Sequence, residues 1–149
     1  MKVCFVCFGN ICRSPTAEIV MREKVERVGL ADRISVASAG VGASPGDPLD
    51  PGSAATLRSH GHSALEHSAT TFGSTAFKEY DLVVVVDRLT ALHVLLSAEA
   101  NEDREKVQYL SKRGEVPNPW RGTEADYEEV YDLIDRACDE LLVELVEQL

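Results

Sequence analysis

The sequence predicts a single α/β domain in which a four-stranded parallel sheet carries helices on both faces. Its 149 residues are enough for one domain with a hydrophobic core. The short apolar run Val3–Val6 leads through a turn into an amphipathic segment, and another strand pattern follows, which favours a parallel crossover. Farther on, four consecutive valines at 83–86 are typical of a parallel strand buried on both faces.

The first half of the chain divides into two strands and two helices. Residues 2–7 form the first strand, which lacks regular alternation and should be buried on both faces. Apolar residues at helical spacing predict a helix over Pro15–Val28, and the second strand covers Ile34–Ala37. Residues 38–48 form a long loop rich in Gly, Pro and Ser, and a helix covers Pro51–Ser59.

The second half contributes two more strands and two longer helices. Residues 81–86 form the third strand, a helix covers Leu89–Leu96, and Val107–Leu110 is a short fourth strand. The last helix starts near Thr123, which forms a capping-box pattern with Asp126. A ligand of such a sheet is expected at the carboxyl ends of its strands.

Composition and charge narrow the class of protein. Hydrophobic residues make up 44% and charged residues 27%, as in a globular protein. No apolar run approaches the roughly 20 residues that span a bilayer, and the first strand begins too early for a signal peptide. The net charge of −10 argues against nucleic acid or an anionic membrane as the partner.

The four cysteines form neither a secreted disulfide framework nor a zinc-binding pattern. Cys7 and Cys12 flank the turn after the first strand, whereas Cys138 falls on the apolar stripe of the last helix and is assigned to the core. We therefore expect a cytoplasmic protein without a zinc site.

The segment Cys7–Pro15, between the first strand and the first helix, predicts an anion-binding turn. Such a turn directs backbone N–H groups, beside the positive end of a helix, at phosphate-like anions. Gly9 is expected to adopt a backbone conformation closed to other residues, and Asn10 tolerates positive φ. Ser14 is predicted as the N-cap of the helix and Pro15 as its first residue.

Two side chains of this turn carry reactive chemistry. Arg13 is able to hold two oxygens of one phosphate. Cys7 lies at the end of the strand, where the helix N-terminus and the guanidinium both favour the thiolate. A thiolate beside a bound phosphate is a nucleophile in place, which predicts phosphoryl transfer through a phosphocysteine.

The whole segment resembles the active-site loop of the low-molecular-weight protein tyrosine phosphatases. The resemblance implies one flavodoxin-like phosphatase domain over residues 1–149 that hydrolyses phosphotyrosine and uses neither metal nor cofactor. It implies that the partner is a phosphotyrosine protein, such as a tyrosine kinase or its substrates, and that Ser14 hydrogen-bonds to the sulfur of Cys7. The residues that it assigns to phosphate or substrate binding are Phe8, Gly9, Asn10, Ile11, Cys12, Arg13, Ser14 and Trp120.

The resemblance extends to supporting residues outside the loop. His67 lies near the position of a histidine that supports the catalytic loop through hydrogen bonds, although its spacing from His60 is one residue longer than usual and a lone histidine also suits a surface or capping role. Asp87 matches an aspartate that organises the same network. Asp87 is equally suited to cap the following helix. The family often has a tryptophan in the loop after Gly40, but this chain has Ser44 there and no aromatic residue, which leaves the shape of the pocket open.

The main departure from the family pattern is Asn118. In the family an Asp-Pro-Tyr-Tyr segment supplies the general acid that protonates the leaving tyrosine and then activates water, whereas this chain has Asn118-Pro119-Trp120-Arg121. An amide does not deliver a proton, and general acid–base catalysis typically supplies a factor of about 10² to 10⁴. We therefore expect impaired activity on substrates with poor leaving groups.

Three accounts of Asn118 stay open. An engineered Asp-to-Asn substitution is the favoured one, because Asn is the usual isosteric change and the catalytic loop is intact. A natural variant that is slow or only binds is the second. In the third, another acid replaces the missing one, with Glu115 and Asp126 as the candidates nearest in sequence.

Trp120 and Arg121 follow the acid position. The resemblance assigns Trp120 to stacking on the ring of the substrate, although a single tryptophan in a Pro-flanked loop also suits a packing role. Arg121 stands where a second Tyr is common, and we predict that it favours acidic sequences around the phosphotyrosine.

Related activities are the alternatives. Arsenate reductases of this type need two further cysteines around the third strand and its helix, and residues 76–96 contain none. Protein arginine phosphatases tend to have Thr at the position of Ile11, so Ile11 favours tyrosine. A phosphate-binding module without turnover is favoured by Asn118 but does not need Cys7 and Arg13. Finally, Cys12 is either a packing residue or a partner for reversible oxidation of Cys7.

Overall fold

The computed structural model describes all 149 residues. Four strands alternate with helices, and two of the helices are single short turns. In chain order the elements are β1 (Lys2–Cys7), α1 (Arg13–Arg27), β2 (Ser35–Gly40), α2 (Pro51–Ser59), α3 (Ala76–Glu79), β3 (Leu82–Val85), α4 (Arg88–Ser97), α5 (Asn101–Arg104), β4 (Val107–Tyr109) and α6 (Glu124–Glu147).

All four strands lie parallel in one sheet, in the order β2-β1-β3-β4. The predicted α/β fold with a four-stranded parallel sheet is therefore confirmed. The order reverses direction after β1, so that β2 and β3 lie on its two sides, and the carboxyl end of β1 is the topological switch point of the sheet. Cys7 is the last residue of β1 and pairs with Gly40 of β2.

The side chains of β1 point alternately into two hydrophobic cores, one on each face of the sheet. Phe5 packs with α1, α2 and α6 on one face, in the same core as Met21 and Ile134. Val6 packs with α3 and α4 on the other face, in the same core as Phe77 and Val94. Because both faces are covered, residues 3–7 are buried without a polar alternation, as the sequence predicts.

Several predicted boundaries differ from the structure by one to three residues, and two of these differences affect the site. Strand β2 includes Ser38, Ala39 and Gly40, which were predicted to lie in a loop, because β1 supplies backbone partners for them up to Cys7. Helix α1 begins at Arg13 rather than Pro15, and the amide of Thr16 donates to the carbonyl of the N-cap residue Cys12. Ser14 is thus inside the helix and is not its N-cap, which frees its hydroxyl for another contact.

Helix α6 spans 24 residues and packs against α1 and α2. It begins with the predicted capping box, in which Thr123 and Asp126 each accept a hydrogen bond from the other's backbone amide. Cys138 is fully buried in its apolar stripe, as assigned. No helix in the chain is both long enough and apolar enough to cross a membrane.

Candidate active site

The turn that follows Cys7 owes its shape to Asn10. Its φ of 57° lies in the left-handed region, and its side chain is fully buried. Gly9, by contrast, does not have a positive φ, and a Cβ added there would meet only Ile11, at 3.8 Å. The expectation that Gly9 carries the unusual backbone conformation is therefore wrong. The side chain of Asn10 stabilises the left-handed turn with several hydrogen bonds.

Most backbone amides of the turn have no hydrogen-bond acceptor within the protein. They lie between the end of β1 and the first turn of α1. The first amides of a helix have no carbonyl partner within the helix, and the strand no longer supplies one. These unpaired donors are the amides of Phe8, Gly9, Ile11, Cys12, Arg13 and Ser14. The amide of Asn10 differs, because it donates to Cys7 Sγ at 3.2 Å. The turn therefore presents free donors around the thiol, at the positive end of a helix.

A chain of hydrogen bonds runs from the sulfur of Cys7 to a carboxylate. Cys7 Sγ lies 2.9 Å from Ser14 Oγ, and Asn10 Nδ2 donates to Ser14 Oγ at 2.8 Å and to Ser38 Oγ at 2.9 Å. Ser38 Oγ donates in turn to Glu18 Oε1 at 2.5 Å. Because Ser14 Oγ already accepts from Asn10, its own proton is free to point at the sulfur.

The loop before α3 fixes the other side of Asn10. The amide of Thr70 donates to Asn10 Oδ1 at 3.0 Å, and His67 Nε2 donates to the carbonyl of Asn10 at 2.6 Å. His67 thus contacts the turn after β1 from 57 residues away along the chain. All polar atoms of the Asn10 side chain are paired, which holds the turn in one conformation.

Arg13 is buried and held by two acceptors. Its Nη1 donates to Asp87 Oδ2 at 2.7 Å and to the carbonyl of Val116 at 2.9 Å. Asp87 also caps α4 by accepting from the amide of Thr90, so both roles predicted for it are present in its contacts. Burial alone would raise the pKa of Asp87, but the hydrogen bonds from Thr90 and Arg13 outweigh it and hold the pKa below its ordinary value.

A cavity of about 190 Å³ opens above the turn. Most of its lining comes from the catalytic loop, and the rest comes from the loop after β2 and the loop before α6. The lining residues are Cys7, Phe8, Gly9, Ile11, Cys12, Arg13, Gly42, Ser44, Asp47, Asn118 and Trp120. A cavity of this volume is large enough to hold a phosphate group.

Two half-exposed aromatic side chains line the mouth of this cavity. Phe8 is 47% exposed and Trp120 is 48% exposed. The ring of Phe8 lies directly over Gly42, where an added Cβ would come within 2.5 Å of its Cζ. Phe8 therefore covers the part of the cavity wall that Gly42 forms. The guanidinium of Arg121 stacks over Trp120 at 4.2 Å from the ring centroid.

Residues 2–149 match the family model of the low molecular weight phosphotyrosine protein phosphatases. The chain belongs to this family. A low molecular weight protein-tyrosine-phosphatase of Streptomyces coelicolor is 38% identical over 99% of this chain and 95% of its own length. The sequence resemblance is thereby confirmed, and the protein is a phosphatase of the hydrolase class.

Solved structures agree with this family assignment. A protein tyrosine phosphatase of Entamoeba histolytica superposes with a TM-score of 0.92 at 29% identity, over 99% of this chain and 98% of its own. The arginine phosphatase YwlE, which is known from Bacillus subtilis, superposes with a TM-score of 0.88 at 29% identity, over 97% of this chain and 95% of its own. Both tyrosine and arginine phosphatases therefore share the fold.

In this low molecular weight phosphatase, residue 118 lies in the cavity but carries no acid. Asn118 Oδ1 accepts from the backbone amide of Trp120 at 3.2 Å. Neither acid that the sequence offers as a replacement lines the cavity. Glu115 accepts from the amide of Arg88, and Asp126 is the partner in the capping box of α6.

Cys12 lines the same cavity as Cys7 and is itself buried. Burial, which outweighs a hydrogen bond from Ser53, raises the pKa of Cys12 to about 12. At neutral pH it is therefore a thiol and not a second nucleophile. No disulfide is present, and all four cysteines are free.

Three contributors to the site were not among the predicted site residues. The Val116 carbonyl and the Ser38 hydroxyl contact Arg13 and Asn10 only because the fold brings distant segments together. Asp47 lines the cavity from the Gly- and Pro-rich loop after β2, where an acidic residue is common on any solvated surface. Its position after a strand that ends at the ligand-binding edge is the one hint that the sequence contains.

Proposed function

We propose that this chain hydrolyses phosphotyrosine in proteins through a phosphocysteine intermediate on Cys7. The observation that carries the proposal is the arrangement of one thiol, a row of unpaired backbone amides and Arg13 around a single cavity. Membership in a family of protein tyrosine phosphatases supports it.

In the first step the thiolate of Cys7 attacks phosphorus and the bond to the tyrosine oxygen breaks. The unpaired amides of the turn hold the phosphoryl oxygens, whose charge increases in the transition state. Both protein hydrogen bonds of Arg13 use Nη1, which leaves Nη2 and Nε for two of those oxygens. In the second step water attacks phosphorus, the S–P bond breaks and the hydroxyl of Ser14 stabilises the departing thiolate.

The rim of the cavity favours an aromatic phosphate ester. Phe8 and Trp120 both line it with half of their surface exposed, so a phenyl ring that enters would bury apolar area against each of them. Phosphoserine would gain little from these contacts because its side chain is too short to reach past the rim with the phosphate bound.

Asn118 makes the turnover of this enzyme depend on the leaving group. An amide neither protonates the departing phenolate nor deprotonates the attacking water. A missing general acid typically costs a factor of about 10² to 10⁴ when the leaving group is poor and much less when it is good. We therefore propose slow hydrolysis of tyrosine phosphate with an otherwise competent nucleophile.

Hydrolysis of an aryl phosphate by the parent chain and by Asn118→Asp, with Cys7→Ser as the blank, tests this mechanism. We expect a rise in kcat of about 10² when the acid is restored. Equal and brisk rates would mean that another group already supplies the proton. No turnover in either protein, with phosphate still bound, would favour a phosphate-binding module without activity.

Arginine phosphatase activity is the second candidate, since YwlE shares the fold at 29% identity. Ile11 and the aromatic rim argue for tyrosine, because the ring of a phosphotyrosine would bury apolar area against them. Initial rates on one peptide that carries either phosphotyrosine or phosphoarginine decide between them. A higher kcat/KM for phosphoarginine would overturn the tyrosine assignment.

Arg121 is the group that would select among phosphotyrosine proteins. It stacks on Trp120 at the rim of the cavity. The substrate residues on either side of a bound phosphotyrosine would lie near this rim. We expect peptides with flanking Glu to be preferred severalfold at low salt, and the preference to disappear in Arg121→Gln.

Free thiols at all four cysteines support a cytoplasmic setting for this activity.

A further inference from the structure

One carboxylate in the cavity has no partner. Asp47 lines the same space as Cys7 and Asn118, and it is the only Asp or Glu among the lining residues. Its backbone is hydrogen-bonded, but its carboxylate forms neither a hydrogen bond nor an ion pair with any other residue. A carboxylate without a partner at the mouth of a phosphate-binding cavity is free to exchange a proton with a bound substrate or with water.

The backbone of Asp47 is fixed relative to the catalytic loop. Its amide donates to the carbonyl of Ser44 at 3.1 Å, and its own carbonyl accepts from the amide of Ala69 at 2.8 Å. The backbone amide of Thr70, the residue after Ala69, donates to Asn10 Oδ1 at 3.0 Å. Two short steps of hydrogen bonding therefore connect Asp47 to the turn that holds the nucleophile.

The other acids near the site are engaged elsewhere. Glu115 is bound to the amide of Arg88, Asp126 belongs to the capping box of α6, and neither lines the cavity. Asp87 is ion-paired with Arg13, which keeps it in the ionised form. Asp47 is thus the one acid that both reaches the cavity and has a free carboxyl group.

We infer that Asp47 supplies the general acid and general base catalysis that the chain retains without a carboxylate at residue 118, less effectively than an acid at that position would. The inference rests on the proposed phosphatase function. In the first step the S–P bond forms, the P–O bond to the aryl group breaks, and the proton of the Asp47 carboxyl moves to the leaving oxygen, either directly or through one water.

In the second step the Asp47 carboxylate acts as a general base. The Asp47 carboxylate takes a proton from the water that attacks phosphorus, the S–P bond breaks, and the thiolate of Cys7 and inorganic phosphate are released. The proton that Asp47 lost in the first step is thereby returned, so the cycle consumes one water and no other reactant.

Leaving-group dependence distinguishes this role from a structural one. We compare the parent chain with Asp47→Asn on phenyl phosphate, which needs protonation, and on 2,4-dinitrophenyl phosphate, which does not. We expect kcat for phenyl phosphate to fall at least about tenfold and kcat for the dinitrophenyl ester to change far less. The decrease of the phenyl phosphate rate with rising pH, which reports the protonated acid, should disappear in Asp47→Asn and be retained in Asp47→Glu.

Two further variants serve as controls. Glu115→Gln removes a carboxylate three residues from Asn118 but outside the cavity, and its rates should match those of the parent. In an Asn118→Asp background the loss caused by Asp47→Asn should shrink, because the restored acid takes over the proton transfer.

Four outcomes would overturn the inference. They are an unchanged phenyl phosphate rate in Asp47→Asn, an equal loss on both substrates, a pH profile that does not change, and a loss in Glu115→Gln instead. Hydrolysis of the dinitrophenyl ester distinguishes a wrong role for Asp47 from the absence of phosphatase activity. If that ester is hydrolysed by the parent and not by Cys7→Ser, the phosphatase stands even when the role of Asp47 does not.

Discussion

Asn10 Nδ2 donates a hydrogen bond to Ser14 Oγ at 2.8 Å, and this bond sets the direction of the Ser14 hydroxyl. With one lone pair of the oxygen occupied, its proton has two acceptors within reach, Cys7 Sγ at 2.9 Å and the carbonyl of Ala39 at 3.4 Å. The sulfur is the nearer acceptor, and it carries the negative charge when the thiolate is present, so it is the stronger one.

The first prediction concerns this hydroxyl. Ser14→Ala removes the donor that stabilises the thiolate as it leaves phosphorus, and a hydrogen bond to a charged group is worth about 1.5–3 kcal/mol. We expect hydrolysis of phosphocysteine to slow by about 10- to 100-fold, with formation of the intermediate affected less. A rapid-mixing experiment should therefore show a larger burst of phenolate followed by a slower steady state.

Ser97→Ala is the matched control, since Ser97 donates only to a carbonyl within α4. A Ser14→Ala enzyme whose burst is no larger than that of the parent would contradict the predicted role.

The second prediction follows from the ion pair between Arg13 and Asp87. The pKa of Asp87 is lower in the folded protein than its ordinary value, so its contribution to stability is present above the unfolded pKa and is lost as the pH falls through the folded pKa. Asp87→Asn keeps the shape of the side chain but removes the charge. We expect the free energy of unfolding at pH 7 to fall by about 1.5–3 kcal/mol.

Urea unfolding between pH 7 and pH 3 measures this effect. The difference between the parent and Asp87→Asn should shrink as the pH drops below 4, because the parent then loses the same charge. A difference that stays constant over this range would show that the ion pair is not the cause.

The sequence predicted the parts of this site whose residues are close together along the chain, and it did not predict contacts between residues far apart along the chain. The nucleophile, the arginine and the turn between them lie within seven consecutive positions, Cys7–Arg13, so their proximity is a local property of a strand, a turn and a helix. The partners of Arg13 are 74 and 103 residues away, and no local pattern indicates them.

Local rules also failed where tertiary contacts compete with them. Ser14 has the residue type and the position of an N-cap, but Cys12 takes that position and Ser14 bonds to sulfur. Gly9 has the residue type of a strained turn, yet the left-handed residue is Asn10, whose side chain is paired on every polar atom. In both cases a buried hydrogen-bond network outweighs the intrinsic preference of one residue.

The third prediction concerns the aromatic rim. Gly42→Ala would place a methyl group 2.5 Å from Phe8 Cζ, so the Phe8 ring must move away from its wall of the cavity. An aromatic contact contributes about 0.5–1.5 kcal/mol beyond its buried area. We expect KM for aryl phosphates to rise by about 2- to 10-fold, with little change for a small alkyl phosphate.

Gly73→Ala is the control, because an added Cβ there meets no atom within 4 Å and its φ is not positive. Phe8→Leu should raise KM for aryl phosphates in the same way as Gly42→Ala. Equal increases for aryl and alkyl phosphates would mean that the substitution disturbs the phosphate site and not the rim.

The fourth prediction is that Cys12 protects Cys7 from irreversible oxidation. Both side chains line one cavity, and the raised pKa of about 12 keeps Cys12 in the thiol form until Cys7 is oxidised to the sulfenic acid. Condensation of the two groups would then form a disulfide and release water. After peroxide treatment we expect a mass loss of two hydrogens in a peptide with Cys7 linked to Cys12, and recovery of activity with added thiol.

Cys12→Ser should abolish this recovery, because oxidation of Cys7 then continues to the sulfinic acid. Cys138→Ala is the control, since Cys138 is fully buried in α6 and outside the cavity, and it should recover as the parent does. Equal recovery in Cys12→Ser and the parent would show that Cys12 only packs beneath the turn.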